Sequence, residues 1–300
     1  MQSPPSANGT RSNLMAGPLL MLAAALLFTL MNVIIKLLGP QFQVWDIGFF
    51  RFFGGGLLLL GIFGRKTNLY RGNDIRLLII RGCTGSAAFL CLITAIRLLP
   101  VSTAMVFFYA FPAFAAIFSF FIYHERISAG AIACILSVLT GVFVLLDFKL
   151  EGELVGQALA VAGAAFAGLT VTFIKKLRAT NGPAIIYLYF CTMGLAVCLP
   201  GFLSDPTLPS DALEWLMCAG IVLTSLTAQL LMNQGFYYCR SWEGGLFMTS
   251  EVVFTALVGI VLLHDPAGWR FWLGSFLIVG SVMVLNVESF TRNGRRARRH

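Results

Sequence analysis

Few residues in this chain can bear chemistry, and the most notable stand inside apolar runs. Glu251 interrupts FMTSEVVFTALVGIVLL, eight residues past Glu243, or about 12 Å into that run at helical rise. A carboxylate at such depth in hydrocarbon costs about 2.5–3.5 kcal/mol on insertion scales, so it must face protein or a wet cavity. There it can contact a solute, carry a proton, or act as structural partner to an arginine or to backbone groups. Arg51, in FFRF, lies seven residues past Val44, about 10 Å in from the opposite end of its own run. Across a core of about 30 Å the two groups would differ in depth by about 8 Å. One cavity could hold both and would suit a zwitterion; the alternatives for Arg51 are an ion pair with Asp46 or snorkelling. Arg81 sits nearer the end of its run and reads as a snorkelling side chain.

Uncharged polar groups come next. Gln229 and Asn233 are four residues apart and share a helix face. With Gln234, Asn32, Thr170 and Thr172, they either bond neighbouring helices or line a cavity. Phe107, Phe108, Tyr109 and Phe111 crowd around Pro112, which removes one helical hydrogen bond and permits a kink. That cluster is packing, an aromatic cavity wall, or a gate. His124-Glu125 and His264-Asp265 end their runs and read as helix caps or ion-paired locks. The seven cysteines show no C-x-x-C spacing and read as small core residues. The three histidines are scattered, so no metal site is visible. No phosphate-cradling Gly-x-x-x-x-Gly-Lys-Ser/Thr loop is present either, and no cofactor is expected.

The elements that must hold these groups follow from composition. Hydrophobic residues make up 58% of the 300 residues and charged residues 11%, against about 45–50% and about 25% in soluble domains. The excess apolar surface must face a lipid bilayer. The net charge of +8 does not point to nucleic acid, because the basic residues sit in short breaks between apolar runs rather than on a stripe with interleaved aromatics. Ten runs of membrane-spanning length are expected, at 14–38, 44–64, 75–98, 101–123, 128–146, 154–177, 182–204, 212–237, 243–263 and 268–288. They must be helices: the runs are about twice the length of barrel strands and do not alternate. Residues 1–13 read as a polar, disordered tail and 289–300 as a basic one. Tryptophans 45, 215, 242, 269 and 272 lie near run ends and fit an interfacial belt.

A shift of 140 residues superposes Ser102–Leu146 on Trp242–Asn286, and VIIKLL at Val33–Leu38 echoes TFIKKL at Thr172–Leu177. The first five runs, 14–146, therefore repeat as the second five, 154–288. Five is odd, so the halves cross the membrane in opposite directions, the inverted-repeat plan of secondary transporters. With both termini in the cytoplasm, 15 of the 21 Lys and Arg fall inside, four outside and two within runs, a strong positive-inside bias.

In these features the chain resembles the EamA-type family of the drug/metabolite transporter superfamily, over nearly its whole length. The likeness is carried by the His-acid pair ending each half's fourth run and by the small-residue fifth runs around Gly130–Val142 and Leu273–Gly280. Leu98-Leu99-Pro100, Pro112 and Arg51 carry it too. The second half departs from the pattern: Val252 stands where Pro112 falls in the first, Glu251 is its neighbour, and Asp265 replaces the more usual Glu. The resemblance implies movement of small metabolites such as amino acids, nucleotide-like compounds, vitamins or drugs.

The expectation is an all-α integral membrane protein of the bacterial inner membrane, not an enzyme, exporting a small amino-acid-like or aromatic solute by alternating access. Glu251, Arg51, Gln229, Asn233, Asn32, Tyr109 and Phe108 would line the cavity, Pro112 would form the kink, and protons would be the coupling ion. A non-transporting scaffold or receptor, and an integral-membrane lipid-modifying enzyme, are the alternatives.

Overall fold

The computed structural model describes residues 7–64, 68–99, 101–124, 127–145, 153–263 and 268–297. Those residues form helices joined by short links, with no strand among them. In chain order the elements are α1 Ala7–Leu38, α2 Val44–Phe49, a π-turn Phe50–Gly54, α3 Gly55–Phe63, α4 Ile75–Leu98, α5 Val101–Phe108, α6 Phe111–Tyr123 and α7 Ala129–Leu145. After these come α8 Leu154–Leu177, α9 Pro183–Ser204, α10 Ala212–Tyr238, α11 Ser241–Met248, α12 Ser250–Leu263 and α13 Trp269–Ala297.

Among the described residues, seven stretches are long and apolar enough to cross a bilayer: Ala16–Leu38, Val44–Phe63, Ile75–Ala95, Ala104–Tyr123, Leu154–Leu177, Pro183–Ser204 and Ala212–Tyr238. Ala129–Leu145 is apolar but shorter. Large side chains such as Phe121, Leu216 and Phe276 point outward and lie more than two-thirds exposed. So extended an apolar exterior is tolerable only against lipid or a partner.

Helix ends follow local chemistry. Asp211 and Asp74 cap α10 and α4 by accepting from the amides of Glu214 and Leu77, satisfying donors the first turn leaves free. At the chain ends the structure departs from expectation. Helix α1 already begins at Ala7, within the stretch expected as a disordered tail, and α13 continues to Ala297 through most of the expected basic tail. Arginine is a good helix former, so polarity alone does not end a helix there. Of the expected caps or locks, Glu125, His264 and Asp265 lie outside the described residues; His124 is exposed and ends α6 in a left-handed turn.

Packing between elements has a pattern of its own. Helix α1 lies along α10, and α8 lies along α4; these correspond when residues are shifted by about 140. Likewise α1 touches α11 and α12 as α8 touches α5 and α6, and α4 meets α9 as α10 meets α3 and the π-turn. The pair α7 with α13 maps onto itself under the swap, as does the contact of α9 with α2, the π-turn and α3. Close approach is bought by small residues. A Cβ on Gly141 would sit 2.9 Å from the Gly274 carbonyl, and one on Gly274 would sit 2.7 Å from the Gly141 carbonyl, the small-residue contact expected where two membrane helices meet.

Two breaks lie at equivalent places. Between α5 and α6 the helix is interrupted at Tyr109 and Ala110, and Pro112 stands in the first turn of the restarted helix. Pro112 thus opens a new helix rather than kinking a continuous one, a position where its missing N–H costs nothing. Between α11 and α12 the interruption falls at Thr249, 140 residues after Tyr109, with no proline. There Thr249 Oγ1 donates back to the Gly245 carbonyl at 3.1 Å, the competition with the backbone ladder that loosens helices at threonine.

Candidate functional site

The break at Thr249 places Glu251 in the first turn of α12, where a negative charge meets the positive end of the helix dipole. Asn32 on α1 donates from Nδ2 to Glu251 Oε1 at 2.8 Å. Thr29, one turn earlier, donates to the Glu251 carbonyl at 3.4 Å and to that of Ala25 at 3.1 Å. Glu251 is partly exposed while Ser250, Val252 and Val253 around it are buried. Tyr109, from the break in the other half, is buried and lies within electrostatic reach of Glu251. Phe108 packs edge-on to it, with centroids 6.1 Å apart, and Phe111 follows at 6.4 Å from Tyr109.

Arg51 projects from the π-turn. A π-turn adds one residue to a helical circuit and recurs at functional positions. Its backbone runs close to α9 and α10 because the next residues are glycines: a Cβ on Gly54 would strike Val222, and one on Gly55 would come within 2.4 Å of the Tyr187 hydroxyl. Arg51 is 6% exposed. Its guanidinium lies 5.3 Å from the Phe89 ring centre and 5.8 Å from that of Phe52. Glu251 acts on it electrostatically, with no direct ion pair among the described residues. The alternative partner is occupied: Asp46 accepts from the backbone N–H of Gln43 at 2.7 Å and of Thr207 at 3.2 Å.

Arg81 corrects the sequence reading. It does not snorkel; it is 1% exposed, donates to Gln229 Oε1 at 3.3 Å, and lies 4.4 Å over the Phe190 ring. The direction a mid-helix arginine faces is decided by the helices beside it, here α9 and α10, and that information is not local. Arg81 is therefore the buried charge the sequence reading undervalued. The available signal was its position six residues inside α4 with Gly82 and Gly85 on either side of the next turn.

Gln229 and Asn233 share a face but not a task. Gln229 meets Arg81, whereas Asn233 Nδ2 donates to the Pro183 carbonyl at 3.2 Å and its own carbonyl accepts from Arg178 Nε at 3.0 Å. Arg178 also donates to Gln234 Oε1 at 2.6 Å and to the Asn181 carbonyl. Thr170 bonds Thr84 at 2.9 Å, and Thr172 bonds back to Gly168. Trp242, expected in an interfacial belt, is buried at 1% in the main core; Trp215, Trp269 and Trp272 are exposed. Among the described residues no cluster of three or more His, Cys, Asp or Glu could hold a metal.

Polar ties gather at two ends of the bundle. At one, Asn73 N–H donates to Asn181 Oδ1 at 2.7 Å, Asn181 Nδ2 donates to the Asn73 carbonyl at 3.0 Å, and Tyr189 donates to the Tyr70 carbonyl at 2.9 Å. At the other, Gln43 reaches Asp205 at 2.9 Å and Gln41 reaches Glu214 at 3.3 Å. Between them lie the two helix breaks and the charged groups.

Apolar helices with two interrupted rods and buried charges between them define a multi-pass membrane protein of the transporter type. The comparison with known proteins is specific: the model of the EamA-like transporter family matches residues 15–147 and again 154–287, and the chain belongs to that family. It is 26% identical over 276 residues to the pseudopaline exporter CntI of Pseudomonas aeruginosa, covering 91% of this chain and 94% of that one. It is 23% identical over 233 residues to human solute carrier family 35 member G1, covering 72% and 64%. A solved crystal structure superposes with a TM-score of 0.79 over 92% of this chain and 98% of the other, at 18% identity, a likeness of fold alone.

Proposed function

We propose that this protein is a secondary exporter of a small polar metabolite, working by alternating access between two inverted five-helix repeats, 14–146 and 154–288. The ten spans would be α1; α2 with the π-turn and α3; α4; α5 with α6; α7; α8; α9; α10; α11 with α12; and α13. The half-swapped packing of these rods, and the matching breaks 140 residues apart, support the repeat. The two polar ends support the threading: the ties of Asn73 and Arg178 join links expected inside, and those of Gln43 and Asp205 join links expected outside. Both termini are then cytoplasmic, and the bacterial inner membrane is the fitting location. Export follows the direction printed for the Pseudomonas relative.

The observation that carries this reading is the set of Arg51, Arg81 and Glu251. All three lie within apolar spans, from both halves, without a direct ion pair among the described residues. Charges that costly are kept in membranes on substrate or ion pathways. Glu251, at the mouth of a broken helix with Asn32 as donor, is the proposed proton carrier; Arg51, Gln229, Tyr109 and Phe108 would face solute, and Pro112 would fix the first-half break. Asn233, tied to Pro183 and Arg178, would hold the cavity's inner end.

Side-resolved labelling tests it. In a variant with all seven cysteines replaced, a single cysteine at Phe108 should react with a membrane-impermeant maleimide from both sides of oriented vesicles. Reaction from one side alone under every condition rules out alternation, and no reaction from either side removes Phe108 from the cavity.

A further inference from the structure

Two guanidinium groups are buried in the proposed cavity with donors to spare. Arg51 Nε, Arg81 Nε and Arg81 Nη1 are sealed from solvent and donate to nothing among the described residues. Among the described residues the pair's hydrogen bond runs from Arg81 Nη2 to Gln229 Oε1, at 3.3 Å. What supports the two cations is aromatic: Phe190 under Arg81, and Phe89 and Phe52 beside Arg51. A ring face attracts a cation, yet it leaves the in-plane N–H fork free to bind something else.

The charges do not balance. Arg51 and Arg81 are near enough to repel each other. Glu251 is the carboxylate that acts on Arg51; on Arg81 the neighbours Cys191 and Tyr187 act, and no carboxylate among the described residues. Asp46 is committed to two backbone amides. Two cations therefore face one carboxylate, and the site lacks one negative charge. A buried cation without a partner is strongly disfavoured, so a monoanion is the complement the site calls for. The unused N–H donors of the two guanidinium groups can each give a charge-assisted hydrogen bond to a carboxylate oxygen. A doubly charged phosphate would overshoot the balance. Gly85 admits the Phe190 ring beside Arg81: a Cβ there would stand 2.9 Å from that ring.

We propose that Arg51 and Arg81 form an anion subsite that takes the carboxylate of the exported solute, so that the substrate class is small monocarboxylates. This rests on the transport reading above and adds its chemistry.

Binding and flux, measured separately, test the two layers. The full-length protein in detergent would be titrated with a panel of small monocarboxylic acids, each beside its primary amide and an amine of the same carbon skeleton, with thermal stabilisation as the readout. The same pairs would be followed as radiolabelled solutes in proteoliposomes. At least one acid should stabilise the protein with about tenfold or greater preference over its amide. Arg51→Gln and Arg81→Gln should each remove that preference, and Arg51→Lys should keep part of it, since it retains charge without the fork. The acid–amide comparison on the wild-type protein needs no variant, so a misfolded variant does not spoil it. Acid binding without flux leaves the subsite standing and overturns transport. Flux of amides or amines equal to that of acids leaves transport standing and overturns the subsite. Neither binding nor flux of any acid overturns the subsite and would mean that water alone satisfies the two arginines; if no amide or amine moves either, transport of these solutes is overturned with it.

Discussion

If Glu251 is the counter-charge for Arg51, the two residues should be energetically coupled. Removing the carboxylate as Glu251→Gln keeps the shape and an oxygen for Asn32 Nδ2, now 2.8 Å from Oε1, but turns a charge-assisted hydrogen bond into a neutral one, a loss of about 1 kcal/mol. It also strands Arg51, which is 6% exposed and whose Nε has no hydrogen-bond partner among the described residues. The two side chains are not within ion-pair distance of 4.0 Å, so their attraction lies below the roughly 4 kcal/mol expected at that distance with an effective dielectric of 20. A coupling of about 1–3 kcal/mol is expected. The assay is a double-mutant cycle of Glu251→Gln and Arg51→Gln, read by reversible unfolding in mixed micelles. The double variant should be less destabilised than the sum of the singles by that coupling. Agreement with the sum to within about 0.5 kcal/mol would mean the residues are independent, and the charge balance drawn for the cavity would be wrong.

Three further outcomes follow from the packing and the ties. Gly168→Val should lower the unfolding midpoint by the equivalent of about 1–3 kcal/mol, because its Cβ would meet Phe114 Cβ at 2.7 Å and the backbone of Ala115 and Phe111 at 2.8 and 2.9 Å; Gly182→Ala, with nothing within 4 Å, is the silent control. Asn181→Leu removes both bonds to the Asn73 backbone and should make the 65–74 link several-fold more sensitive to limited proteolysis in inside-out vesicles. Asp46→Ala leaves the amides of Gln43 and Thr207 without their acceptor and should cost about 1–3 kcal/mol in the same unfolding assay. Circular dichroism or tryptophan emission during unfolding checks the stability effects.

Much of the helical layout was legible because a bilayer imposes a length and forbids unpaired backbone. The apolar runs and their polar breaks therefore mark the helices to within a few residues, except at Ala7–Asn13 and past Ser289, where no membrane acts and polarity says little about helicity. Glu251 was legible because a lone acid in an apolar run has few tolerable surroundings. Arg81 was not, since its long stem can reach water from either orientation and the choice is made by α9 and α10. The π-turn under Arg51 depends on glycines fitting against Val222 and Tyr187, contacts more than a hundred residues away. The break at Thr249 lacks the proline that marks its counterpart, though the 140-residue offset from Tyr109 pointed to it. Trp242 was misplaced because a run end in sequence is not always a membrane surface in space.

The most direct test of the whole reading is flux in proteoliposomes. Wild-type protein, Glu251→Gln and empty vesicles would be given a pooled metabolite mixture under an imposed pH gradient, with lumenal solutes identified by mass spectrometry. Saturable accumulation of at least one solute with the wild-type protein alone, lost in a correctly folded Glu251→Gln, is the expected result. No solute moving in either gradient direction, or in exchange against preloaded pools, would contradict transport by this chain; accumulation unchanged in Glu251→Gln would remove the carboxylate from the mechanism.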